Sequence, residues 1–281
     1  MYDLLKSKTA ALRGEAVSLA RRLVMTSSPS LHEQSVSATV ARAMRQAGLD
    51  RVVRDDYGNV AGVLFGLEPG PTVLLLSHMD TVQARPEDRW SHDPLSGRCD
   101  DGRIVGLGAA DCKGGIAAQL FAAVALKRSI LPLRGNVVVA ATVAEENGAA
   151  LGLRALLAST LPDLGLVPEF AILGEPTNLG ICYGHEGWAE LSVRLLGRDL
   201  FQVADAGRGF YQDLVERKAA GRLQNGKQNL LVKEPSFTNE RGKPAATLLL
   251  TRRLLHGQHL ADLMAQTEYG AASAVKEALG V

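Results

Sequence analysis

At 281 residues, with 46% hydrophobic and 22% charged side chains, the chain is long enough to bury a sizeable core and fits two ordinary domains. Its 31 Lys and Arg against 30 Asp and Glu leave a net charge of +1, with no long run of one sign, so neither nucleic acid nor an anionic membrane is an expected partner. A small molecule is expected instead.

The three cysteines, Cys99, Cys112 and Cys182, are odd in number and widely spaced, which fits neither a disulfide framework nor a thiolate zinc site and points to a reducing cytoplasm. The N-terminus opens as a charged amphipathic stretch without the apolar core of a signal peptide, and no apolar run is expected to reach membrane-spanning length.

Apolar residues Leu4, Leu5, Leu12, Val17, Leu19, Leu23 and Val24 recur near helical spacing, and a second helix is predicted over about 33–47 with Gly48 as its stop. Strand-like runs follow at 59–65, 72–77, 136–144 and 170–173, with helices near 115–127 and 151–159 between them. Strands alternating with helices predict a layered α/β domain over 1–187. From 188 to 281 the pattern changes to strand 191–196, helix 207–223, strand 229–237, strand 245–255 and a helix from about 259. This β-α-β-β-α order is one strand short of a ferredoxin-like α+β unit.

Four acidic or imidazole motifs stand at or just past the ends of apolar runs, and in an open sheet residues at the carboxyl ends of strands converge on one cleft. His78 and Asp80 close the run Thr72–Ser77; two residues apart on an extended chain they share a face, so Asp80 is placed to hold a metal-ligating imidazole. A surface His–Asp pair is the plainer alternative. Asp111 lies in the glycine-rich stretch Gly106–Gly115, where its carboxylate is either a bridge between two cations or a helix N-cap; it also stands where a dinucleotide fingerprint needs its third glycine. Glu145 and Glu146 end the run Val137–Ala144 ahead of Asn147-Gly148, a strong turn signal; adjacent carboxylates can divide metal binding from proton transfer. Glu175 follows Phe170–Gly174 and precedes Pro176, which favours an extended backbone; an ordinary loop glutamate is the alternative. Taken jointly, the order His-x-Asp, Asp, Glu-Glu, Glu points to a metal site with zinc favoured by its imidazole and carboxylate donors. Cys112, Trp90, Trp188, Arg252 and Arg253 read as packing or surface residues.

The segments Ser77–Val82, Gly106–Gly115, Ala144–Gly148 and Gly174–Thr177, with Gly184–Trp188 as an entry to a lid domain, resemble the zinc metallopeptidase and deacylase family of aminoacylase, acetylornithine deacetylase, succinyl-diaminopimelate desuccinylase and glutamate carboxypeptidase. The resemblance covers nearly the whole chain. It implies a zinc-exopeptidase catalytic domain over 1–187 and a ferredoxin-like lid over 188–281, both incomplete. By position, His78 and Glu175 would hold one Zn2+, Asp111 would bridge, Glu146 would hold the second, Glu145 would be the general base and Asp80 would orient His78. Co2+ could replace zinc. The implied activity is hydrolysis of amide bonds in N-acyl amino acids or small peptides, in a homodimer formed through the lid.

Two departures stand beside that resemblance. The family returns from the lid to supply a histidine for the second zinc, whereas this sequence stops within the lid and none of His32, His92, His185, His256 and His259 matches, so a C-terminally truncated member of impaired activity is expected. The family also places a histidine after the first lid strand, where this chain reads Gly197–Val203 without one. The rival readings are a non-catalytic relic or ligand-binding module of the same fold and, more distantly, a dinucleotide-binding protein.

Overall fold

The computed structural model describes residues 1–85, 88–148, 150–182, 187–219, 230–254 and 260–279, which fall into two compact units, Met1–Gly180 and Ile181–Val281.

The first unit is three layers deep. Helix α1 (Tyr2–Val24) buries Leu12, Leu19, Leu23 and Val24, and α2 (Gln34–Gln46) buries Val36, Val40, Ala41, Ala43 and Met44, the one-sided stripes that the sequence spacing requires. Gly48 adopts φ +78° just after α2, a left-handed exit that glycine takes without penalty. The strands are β1 (Arg51–Arg54), β2 (Val60–Leu64), β3 (Glu68–His78), the small hairpin β4 (Arg98–Asp100) and β5 (Arg103–Val105), β6 (Arg134–Thr142) and β7 (Pro168–Leu173). Helix α3 (Gly114–Ser129) joins β5 to β6, and a helical stretch running from α4 (Leu151–Ala155) to α5 (Leu161–Asp163) joins β6 to β7.

The main sheet has the order β1-β2-β6-β3-β7. Strand β3 is parallel to β6 on one side and β7 on the other, while β2 is antiparallel to both β1 and β6, so the sheet is mixed. Val137, Val139 and Ala141 of β6 pack in the cluster that contains α1, α2 and α3, whereas Val138 and Ala140 pack with Leu156, Leu161 and Leu166 on the opposite face. Burial on both faces is why this strand reads as a continuous apolar run rather than an alternating one. Each fully buried Leu or Met in these clusters, such as Leu23, Met44 or Leu120, contributes about 1.5–3 kcal/mol.

This topology positions the site. After β3 the chain builds β6 on one side and then returns to build β7 on the other, so three parallel strands end at one sheet edge around the switch point.

Several expectations need correction. Strand β6 stops at Thr142, so Val143 and Ala144 belong to the following turn. Strand β2 is shorter than 59–65 and β3 begins earlier than 72, while β1, β4 and β5 were not predicted at all. The segment Ala109–Ser129 does reach membrane-spanning length and apolarity, contrary to the sequence reading, yet Ile116, Leu120, Ala123 and Val124 within it are core residues of the first unit.

In the second unit, β8 (Gly187–Leu196), β11 (Lys243–Leu254), β9 (Leu230–Val232) and β10 (Ser236–Glu240) form an antiparallel sheet, with α6 (Leu200–Ala219) and α7 (Leu260–Leu279). Phe210, Leu214, Leu248, Leu250 and Ala271 form its core, joined by the alternate residues Leu191, Val193 and Leu195 of β8. The predicted strand 229–237 is two strands, both paired with β11 and separated by a stretch containing Pro235, which has no N–H to give a ladder. Helix α6 starts seven residues before the predicted 207, because Asp199 Oδ1 accepts the Gln202 N–H (2.8 Å) and caps it. The proposed lid entry at 184–186, the end of the predicted helix at 220–223, and His256 and His259 lie outside the described residues.

Candidate metal centre

His78 is the last residue of β3, Glu145 and Glu146 follow β6, and Glu175 follows β7, so three parallel strands deliver these groups to the same edge. Asp111 comes from the turn Ala109–Lys113 that leads into α3; Lys113 rather than Asp111 stands at the N-cap of that helix, and no side chain caps it, so Asp111 is not the ordinary helix cap that the sequence left open.

One donor atom each from His78, Asp111, Cys112 and Glu175 lie within 4.8 Å of one another. His78 Nε2 is 3.0 Å from Asp111 Oδ1, 3.8 Å from Glu175 Oε1 and 4.0 Å from Glu145 Oε2. Donors bound at roughly 2.0–2.2 Å around a single divalent ion span at most about 4.4 Å, so small side-chain rotations suffice for this set to close on one cation. Of the residues singled out from the sequence, His78, Asp111, Glu175 and Glu145 are thus brought together. Glu146 adjoins them closely enough to feel the charges of Asp111, His78 and Glu145, but it is not in the four-residue donor group.

Asp80 is fully buried and acts through two different groups. His78 Nδ1 donates to the main-chain carbonyl of Asp80 at 2.9 Å, while the nearest carboxylate oxygen is 3.5 Å away. The imidazole is therefore held by Asp80 twice over, at hydrogen-bond distance by its backbone carbonyl and, somewhat farther, by its carboxylate as a charged partner. With the Nδ1 proton held in this way, Nε2 is the ring nitrogen that faces Asp111 and Glu175, and it offers a lone pair to a cation once its own proton leaves. The Asp80 carboxylate accepts the N–H groups of Glu145 (3.1 Å) and Glu146 (3.0 Å) and the Ser30 hydroxyl (2.7 Å). One residue thus ties the end of β3 to the turn after β6.

The electrostatics follow from this crowding. Burial alone would lower the His78 pKa, but the hydrogen bonds to Asp80, Cys112 and Asp111 outweigh it and push it up to about 12. Asp80 is opposed by burial yet held down to about 2 by His78 and by the N–H and O–H groups it accepts. Burial pushes Glu175 upward, and the Asp111 and Glu145 carboxylates add to this against the opposing pull of His78. Glu146 is raised by burial and by Asp111. Carboxylates crowded around one imidazole attract positive charge, so a proton on His78 and a cation compete for the same place.

Close packing sets the relative height of the strand ends. The amide of Gln119 on α3 donates to the carbonyls of Leu76 (3.2 Å) and Ile172 (3.1 Å) and accepts the Ser77 hydroxyl (2.9 Å), cross-linking the ends of β3 and β7. A Cβ at Gly174 would lie 2.2 Å from Ser77 Oγ, so only glycine permits this approach immediately before Glu175.

The sequence reading missed several contributors. Cys112, read only as a packing residue, is fully buried beside the site, and its sulfur accepts the His78 backbone N–H at 3.4 Å. Lys113 is completely buried, its Nζ donates to the Thr26 carbonyl at 2.8 Å, and desolvation lowers its pKa to about 8. Glu33 and Asn59 are buried polar residues that bond to the turn after β6. The sequence offered one weak signal for the last two: polar residues at the borders of apolar segments.

A mixed-sheet α/β unit with imidazole and carboxylate donors gathered at the ends of its parallel strands is the arrangement of a metal-binding site at a topological switch point. Residues 74–266 match Peptidase family M20/M25/M40, and the chain belongs to that family. It is 38% identical to succinyl-diaminopimelate desuccinylase of Gluconobacter oxydans over 108 residues, 38% of this chain and 27% of that protein. Human carnosine dipeptidase 1 shares its fold with a TM-score of 0.73 at 16% identity, covering 98% of this chain and 77% of that one. A Bacillus subtilis protein described as a dinuclear metal binding peptidase of family M20 superposes with a TM-score of 0.62 at 15% identity, over 95% of this chain and 71% of that one. The chain spans about half or less of the length of the curated relatives it matches.

Proposed function

We propose that the chain carries the metal-binding core of a hydrolase that cleaves amide bonds in N-acyl amino acids or small peptides, with zinc as its ion and cobalt as a substitute. The observation that carries this reading is the convergence of His78, Asp111 and Glu175 donor atoms with the Glu145 carboxylate 4.0 Å from the imidazole. His78 and Glu175 would hold one cation, Asp111 would bridge and Glu146 would hold the second. Bound there, the cations supply Lewis acidity toward an amide carbonyl and lower the pKa of water.

The protein's own part is positional and protic. Glu145 Oε2 receives the proton of the attacking water and passes it to the leaving nitrogen, the division of labour available to two adjacent carboxylates of which only one is committed to metal. Asp80 keeps the imidazole in the metal-binding tautomer and the Glu145 backbone in place. Homodimer formation through the second unit is part of the same proposal, and the exposed Trp188, Phe201 and Tyr269 side chains are compatible with it; sedimentation of the full chain tests it.

A second reading, metal or ligand binding without turnover, is favoured by the lack of a histidine in 197–203. Zinc titration with an N-acyl amino acid assay separates the two. The enzyme reading expects tight binding with turnover that Glu145→Gln lowers by about 10²–10⁴-fold while leaving metal affinity intact. Binding without turnover of N-acyl amino acids and dipeptides supports the second reading.

A further inference from the structure

We propose that Glu33 and Asn59 are positioning residues for the Glu145–Glu146 pair: with Asp80 they accept four consecutive backbone N–H groups and fix the turn from which both carboxylates project. The inference rests on the reading of those two glutamates as base and ligand. Its geometry stands apart from that reading.

Past Thr142, the last residue of β6 to pair with β3, the chain leaves the sheet ladder while Val143 and Ala144 are still buried. Their N–H groups, and the two that follow, are all taken by side-chain oxygens. Val143 donates to Asn59 Oδ1 (3.1 Å), Ala144 to Glu33 Oε1 (2.9 Å), Glu145 to Asp80 Oδ1 (3.1 Å) and Glu146 to Asp80 Oδ2 (3.0 Å). The three acceptor residues come from separate segments of chain, before α2, before β2 and after β3, and none is more than 4% exposed.

Each acceptor is itself fixed. The Asn59 amide donates to Asp55 Oδ2 (2.7 Å) and the Gly152 carbonyl (2.9 Å), and Asp80 Oδ2 also accepts the Ser30 hydroxyl. Glu33 Oε1 accepts a second N–H, from Leu31 (2.9 Å). Leu31 (φ 71°) and Ala144 (φ 54°) both occupy the left-handed region that residues with a Cβ avoid, so one carboxylate oxygen holds two backbone conformations that would otherwise relax. Release of the turn would change where both carboxylates stand in the cluster, in which Glu146 faces Asp111 and Asp80 as well as His78, and Glu145 lies 4.0 Å from the His78 imidazole. Held in place, they remain within reach of the cluster while Glu33 touches none of its donors.

The test compares Glu33→Ala and Glu33→Gln in the full chain by amide hydrogen exchange, cobalt titration and steady-state kinetics. In Glu33→Ala the Ala144 amide is expected to exchange on the order of tenfold faster or more. Cobalt affinity at His78, Asp111 and Glu175 should stay within about threefold, with kcat reduced on the order of ten- to a hundredfold at an unchanged KM, as for a displaced rather than a missing group. Glu33→Gln retains an amide oxygen as acceptor and should restore both exchange and kcat. Unchanged Ala144 exchange in a folded Glu33→Ala protein overturns the proposal, as does a Glu33→Gln protein as impaired as the alanine variant. If Glu33→Ala does not fold, the glutamine variant decides: wild-type exchange and kcat uphold the clamp, and their loss refutes it. A wild-type chain that neither binds cobalt nor turns over defeats the hydrolase reading alone, because the exchange comparison still decides whether the clamp exists.

Discussion

The strands on either side of β3 end in opposite ways. The turn after β6 is seized by four buried side-chain oxygens, whereas β7 is the edge strand of its sheet, with Phe170, Ile172 and Leu173 each more than half exposed, and the Glu175 that follows it is held mainly through Gly174. Gly174 donates to the Leu76 carbonyl at 2.8 Å, and Gln119 spans from there to Ile172. The contrast teaches that one site is assembled by two methods. The turn that carries Glu145 and Glu146 is locked by many buried acceptors, while Glu175 is placed by a close backbone approach at Gly174, although all three carboxylates face His78 and one another.

The locked side should respond most. Asp80→Ala deletes acceptors for Glu145, Glu146 and Ser30 together, and a loss of about 3 kcal/mol or more in unfolding free energy is expected, measured by denaturant melts. The sign with pH follows from its folded pKa of about 2, below the ordinary value of 3.8. The carboxylate stabilises the fold fully above about pH 4, and this contribution, about 2 kcal/mol, is lost as the pH falls toward 2. Wild type should show that acid limb and the variant should not.

The next effect sits at the point where the two sides meet. Because His78 keeps its proton up to about pH 12 without metal, above the ordinary 6.5, a cation must displace that proton to bind. Apparent cobalt affinity should therefore rise by about tenfold per pH unit between roughly pH 6 and 8, with about one proton released per cation from this group in calorimetry across buffers. A pH-independent affinity over that range would show that His78 does not hold its proton in the metal-free protein.

On the β7 side, Gly174→Ala brings a methyl group to 2.2 Å from Ser77 Oγ and should cost about 1–3 kcal/mol, with weakened binding of the first cation because Glu175 moves. Ile172→Ser, on the exposed strand itself, should change stability by no more than about 0.5 kcal/mol. A large loss there would mean that β7 is as firmly determined as the turn after β6, and the contrast would fail.

How far the sequence could be read follows the same physics. Continuous apolar runs such as Val137–Ala141 announce a strand buried on both faces, and His78, Glu145, Glu146 and Glu175 were found because they stand where such runs stop, whereas Asp111 was found in its glycine-rich stretch. Asp80 was legible as a partner of His78 but not the manner of it, since an i, i+2 spacing says nothing about whether carbonyl or carboxylate does the holding. Glu33 and Asn59 left only a weak trace, ordinary polarity at the border of an apolar segment, because their partners lie 111 and 84 residues away. The short charged strand Arg51–Arg54 lacks an apolar pattern, and its pairing with β2 comes from the tertiary fold. Strands β9 and β10 read as one because the stretch between them, containing Pro235, interrupts the ladder without ending the antiparallel pairing with β11.

The central claim is that His78, Asp111 and Glu175 share one divalent ion. Anomalous diffraction from crystals of the full chain soaked in zinc tests it most directly. The account predicts a single dominant peak at about 2.0–2.2 Å from His78 Nε2 and from carboxylate oxygens of Asp111 and Glu175. A peak bound elsewhere, or none at this sheet edge at saturating zinc, would contradict it.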